Sequence, residues 1–191
     1  MIARSALTLQ IAPTRIPRQS FLRGTPVCSR QRAREPRMCF LSTVQSILSG
    51  FTAPLINDIS TNLEDPPNFT SVSRGPLPKS YRPQIAKAYP DVTSLKVEGK
   101  SVGAVFDTAL SVAEVQPRWE VTYQDKPSGA IEGVATTALI GFKDDFVIRI
   151  QQGGSGPIVV DMRSKSRTGQ GDFGANAARI RQYFQELKAR L

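Results

Sequence analysis

The chain has 191 residues, 40% of them apolar, with a formal charge of +9 at pH 7 and no histidine. That length suits one ordinary domain plus extensions and excludes a second full core. The absence of histidine removes the commonest metal ligand and the commonest general base near neutral pH.

Residues 1–40 hold eight arginines (Arg4, Arg15, Arg18, Arg23, Arg30, Arg32, Arg34 and Arg37) against one acid, Glu35, which leaves the rest of the chain at only about +2. An Arg-rich, acid-poor leader with scattered Ser and Thr has the composition of an organellar transit peptide, so residues 1–39 are read as one, most of all for a plastid. The leader lacks the lysines and interleaved aromatics that a nucleic-acid-binding arm would use, and no nucleic acid partner is expected. Both cysteines, Cys28 and Cys39, fall in or beside it, so a mature chain carries at most one thiol and no internal disulfide.

Next, in 40–60, Phe40, Leu41, Val44, Ile47, Leu48 and Phe51 recur at helical spacing with Ser, Thr and Gln opposite. The stripe is too short to span a bilayer, which takes about 20 mainly apolar residues. Three readings stand: Phe40 to Phe51 contacts a membrane surface, it is a second signal for transfer across the thylakoid membrane, or it packs on the domain. Residues 61–92 follow with Pro66, Pro67, Pro76, Pro78, Pro83 and Pro90, a density read as a linker or wrapping segment rather than regular structure.

Regular patterning begins near Thr93 and sets the domain at 93–191. A short strand is predicted over 94–98, then a helix capped by Ser101 and ended by Pro117. Trp119, Val121 and Tyr123 alternate with polar residues, the period of a strand with one buried face. Further strands are predicted at 130–137, 146–151 and 158–164, with a Gly153-Gly154-Ser155-Gly156 turn before the last. Asp172 is placed to cap a final helix whose Phe173, Ala177, Ile180, Phe184, Leu187 and Leu191 lie on one face. Short connections imply antiparallel pairing, giving an α+β fold: a sheet of four to five strands with two helices on one face.

The runs Trp119-Glu120-Val121, 129–137, 141–145, Val147-Ile148-Arg149, 160–167 (Val-Asp-Met-Arg-Ser-Lys-Ser-Arg) and 174–181 (Gly-Ala-Asn-Ala-Ala-Arg-Ile-Arg) together resemble the domain of unknown function 1499 family (DUF1499), found in bacteria and in plastids of plants and algae. The resemblance covers about the last hundred residues. It implies the fold, a plastid setting and a thylakoid context, but no activity. The family's upstream Pro-Asn-Cys-Val-Ser segment is matched by Pro67-Asn68-Phe69-Thr70-Ser71-Val72 with the cysteine replaced, which removes the ground for a cysteine-dependent role.

Polar residues cluster on the last two strands and at the start of the final helix. One reading is an anion site in which Arg163, Arg167 and Arg179 converge near Asn176 and the helix N-terminus. The bland alternative is a structural network of Asp144, Asp145, Arg149, Asp161 and Asp172 with those arginines. Metal binding by Asp144, Asp145 and Asp161 fits no calcium-loop spacing, and strand alternation points Lys165 away from Ser164 and Ser166, which argues against a Ser-Lys nucleophile. No catalytic residue, metal or cofactor is expected. Trp119 is read as core, and the glycine run as a turn rather than a nucleotide cradle. The expected function is a non-enzymatic module that docks to, or assists assembly of, a thylakoid membrane protein complex. The alternative is a carrier or sensor of a small anionic or amphipathic ligand, with an enzyme ranked last.

Overall fold

The computed structural model describes residues 53–138 and 140–191. The leader 1–39, both cysteines and the 40–51 stripe lie outside the described residues.

In chain order the elements are β1 (Asp58–Ser60), α1 (Arg82–Ala88), β2 (Leu95–Val97), α2 (Val102–Glu114), β3 (Trp119–Asp125), β4 (Ala130–Thr136), β5 (Lys143–Gln152), β6 (Ile158–Ser166) and α3 (Ala175–Arg190). The expected α+β class holds, with six strands rather than four or five. The extra one is β1, which pairs antiparallel with the end of β6, Ile59 opposite Ser164. β2 pairs with the start of the same strand, Leu95 opposite Val160, so two short strands share one edge of β6. β3 to β6 form an antiparallel meander, as their short connections require.

Two glycines make the meander possible. Gly129 ends the β3–β4 turn at φ +70°, and a Cβ there would sit 2.0 Å from the Ile150 carbonyl oxygen. Gly133 lies flat beneath the aromatic packing, where a Cβ would meet the Phe146 ring at 2.4 Å. The Phe146 ring takes that space, and Trp119 packs beside it with its ring centroid 4.4 Å from that of Phe146 and 5.6 Å from that of Tyr183.

α2 and α3 cover one face of the sheet. Ser101 caps α2 by accepting from the Ala104 amide. Val105, Phe106, Ala109 and Val112 of α2 and Ala177, Ile180, Tyr183 and Leu187 of α3 are buried against Ile131, Phe146, Ile148, Val160 and Met162 of the strands. The predicted stripes hold except at Phe173, which precedes α3 at φ 52° and is 78% exposed. Tyr123 also departs from expectation. A bulge between Val121 and Tyr123 sets it opposite Glu132, which puts it on the face away from the helices, because directly opposed residues share a face.

That other face is not bare. Residues 61–81, part of the expected Pro-rich linker, wrap across it, and the same stretch leads into α1. Proline density did not prevent this helix because Pro83 sits in its first turn, where the missing amide has no partner to lose. Ile56, Ile59, Leu77, Ile85, Tyr89 and Val92 join the core, so the folded unit begins well before residue 93.

Candidate functional site

Strand alternation sorts the charged residues of β4, β5 and β6 onto the two faces. Odd-numbered residues of β6 and β5 point away from the helices, and their charges, apart from exposed Lys143, are covered wholly or in part by the wrapping segment. Arg163 is fully buried and donates from Nε to Asp58 Oδ1 at 2.9 Å and from Nη2 to Asp58 Oδ2 at 2.8 Å. It also donates to the carbonyls of Pro67 and Gly75, and lies 5.3 Å from the Phe69 ring centroid. Phe69 thus packs on a guanidinium. Asp161 accepts from Arg149 at 2.8 Å, from Thr61 and Asn62, and from Ser94. Arg149 reaches on to Asp65 at 2.9 Å. Glu132, 1% exposed, accepts from the amides and hydroxyls of Thr70 and Ser71.

Asp145 on the same face is held by Arg167 and Arg74. Donating to the Asp145 carboxylate holds the Arg167 guanidinium further above its already high range. Lys165 pairs with Asp58 at 3.3 Å, facing away from Ser164 and Ser166.

The helix face carries a second cluster. Arg179 pairs with Asp144 and donates to Ser164 Oγ at 2.8 Å and to Asn176 Oδ1. Asn176, fully buried, accepts from Ser164 at 2.7 Å and donates to Ser166 at 3.0 Å. The N-cap of α3 is Gly174 at φ 82° rather than the expected Asp172, which lies two residues ahead and still accepts from the amides of Gly174 and Asn176 at 2.8 and 3.0 Å, meeting two of the orphan donors that begin the helix.

The expected anion site therefore does not assemble. Only Arg179 and Asn176 come together; Arg163 and Arg167 lie across the sheet, and each of the three arginines already has a carboxylate, from Asp58, Asp145 or Asp144. Asp144 and Asp145 face opposite sides of β5, and among the described residues no group of three or more acids or cysteines is placed to hold a metal. Asp144, Asp145 and Asp161 pair with Arg179, Arg167 and Arg149, whereas Asp172 meets only backbone amides and Arg163 takes Asp58, a residue outside the expected network.

Sequence reasoning missed a different feature. A cleft of about 670 Å³ opens at the Asp172 end of the sheet, lined chiefly by Thr137, Ala138, Ile140, Phe142 and Phe173. Ile140, Phe142 and Phe173 are 70%, 51% and 78% exposed, and exposed Leu55 packs on Gly171 at its edge. Its charged groups are already engaged, Asp144 by Arg179 and Asp172 by the helix amides, and Ser166 is held by Asn176. What remains is an apolar surface that a partner could cover without leaving a charge unpaired. The signal was present in Ala138-Leu139-Ile140-Gly141-Phe142, an apolar run where a β-turn ordinarily carries polar residues. Hydrogen bonds from the Phe142 amide to Thr137 Oγ1 and from the Thr137 amide to the Phe142 carbonyl fix that turn.

The family model described as "Protein of unknown function (DUF1499)" matches residues 58–187. Its start coincides with β1, the strand that carries the counter-ion of Arg163. No curated protein matches the chain.

Proposed function

We propose a role for this chain, which belongs to the DUF1499 family: it is a non-enzymatic binding module of the plastid that docks to a protein subunit of a thylakoid membrane complex through the apolar cleft. The observation that carries the reading is the cleft itself, where Ile140, Phe142 and Phe173 stand exposed around about 670 Å³. Large apolar side chains held together at the surface with no free charge among them mark a surface to be covered by another protein. The Arg-rich, acid-poor leader supports the plastid setting. Among the described residues no helix is long and apolar enough to cross a membrane.

A second reading, a carrier of a small amphipathic ligand, is favoured by the cleft volume, which falls in the range of small-molecule sites of about 300–1,000 Å³. Its anionic form loses support because the three arginines that would hold the anion are neutralised internally.

Crosslinking pull-down from intact plastids separates these, with the wild-type chain and a Phe142→Asp, Phe173→Asp variant as paired baits. Docking predicts recovery with one membrane complex by the wild type and loss by the variant, while a cooperative thermal unfolding transition of the variant shows that it still folds. Equal recovery by both baits would overturn docking at this cleft. Recovery of the wild type alone in the soluble fraction, with a small molecule in native mass spectrometry, would establish the carrier instead.

A further inference from the structure

We infer that the cleft has an occupant within this chain: the apolar stripe of residues 40–51 seats in it when no partner is bound. The inference rests on the reading of the cleft as a docking site and assigns that site a regulator.

Three observations lead to it. The described chain starts at residue 53, and Leu55, two residues on, already lies at the edge of the cleft, against Gly171. Four residue steps separate Phe51 from Leu55, a reach of up to about 14 Å, so chain connectivity tethers the Phe51 end of the stripe within reach of the cleft. As a helix its twelve residues would extend about 18 Å, long enough to lie across the opening.

Chemistry agrees with placement. Residues 40–51 carry no charge at all, and their apolar positions Val44, Ile47, Leu48 and Phe51 fall on one helical face. The cleft likewise has no charge to spare, since Asp144 and Asp172 are spent on Arg179 and on the α3 amides. Tethering raises the local concentration of the stripe to the range of short linkers, about millimolar, so even a weak apolar contact is populated. A partner would then have to displace it.

The test uses the full chain with Cys28→Ser and Cys39→Ser, so that introduced thiols are the only ones. Val44→Cys is combined either with Ala138→Cys in the cleft or with Ser155→Cys in the exposed β5–β6 turn, and a short bismaleimide is added to dilute monomer. Seating predicts a several-fold higher yield of the intramolecular Val44–Ala138 crosslink than of the Val44–Ser155 control, and its fall to the control level when Ile47→Asp and Leu48→Asp are added. Equal yields, or a crosslink insensitive to those two substitutions, would overturn it. So would a product found only in the dimer band, which would assign the cleft to a second copy. Because no partner is present, the result is independent of the plastid pull-down: a crosslink with no recovered complex removes the docking reading alone, and a Phe142-dependent complex without the crosslink removes this one alone.

Discussion

Arg163 and Asp58 are both fully buried, and the geometry between them is a two-point match of guanidinium to carboxylate. Desolvating both charges costs several kcal/mol, and the fork recovers it only while both partners are present. Asp58→Asn should therefore destabilise the fold by about 3–5 kcal/mol in urea unfolding. The pair of Lys126 and Asp107 is as short, but its side chains are 51% and 63% exposed. Asp107→Asn should cost less than about 1 kcal/mol by the same measurement. Similar losses for the two would mean that burial is not what makes the first pair matter. The residues of this network were legible as a group, because charges at alternate positions of one strand must share a face. Their partners were not, because Asp58, Asp65, Thr70, Ser71 and Arg74 come from segments with no periodic signal.

Among the elements, α2 and β3 could be read from periodicity because each has one covered and one open face, whereas β4 to β6, buried on both faces, could be read as short apolar-rich runs bounded by turns. β1 could not: it has three residues, all buried, and no alternation to detect. α3 shows how the helices are tied together. The Tyr183 hydroxyl, fully buried, donates to the Ala109 carbonyl of α2 at 2.9 Å. Burial pushes the Tyr183 hydroxyl well above its usual value of 10.0. A raised folded-state value means that the contribution is complete below about pH 10, where the unfolded tyrosine is still protonated, and is lost as pH rises from there toward the raised value. Stability should fall through the alkaline range above pH 10, and Tyr183→Phe should remove part of that slope while costing about 1 kcal/mol at pH 7 for the lost hydrogen bond. Tyr89, raised chiefly by its own burial and then by Asp172, keeps its share of the slope in the variant. Urea unfolding at a series of pH values checks both parts. An unchanged alkaline slope in the variant would show that Tyr183 is not what titrates.

For the molecule as a whole, the question is where the cooperative unit begins. Regular patterning starts at Thr93, yet six core residues, Ile56, Ile59, Leu77, Ile85, Tyr89 and Val92, lie upstream of it. Burial of a large apolar side chain is worth about 1.5–3 kcal/mol. Six of them together match or exceed the whole net stability of a typical domain, about 5–15 kcal/mol. Removal of the same segment would also strip the Asp58 carboxylate from Arg163 and the Thr70 and Ser71 donors from Glu132. A fragment of 93–191 is therefore expected to show no cooperative unfolding transition by circular dichroism, whereas 53–191 should unfold in one step. If the shorter fragment melted cooperatively near the longer one, the wrapping segment would be an accessory to a sheet that stands alone, and the buried charges beneath it would be solvated in the fragment at little cost. If it does not, the charged face of the sheet and the segment that covers it are two halves of one core, joined by ion pairs where the helix face is joined by apolar contact.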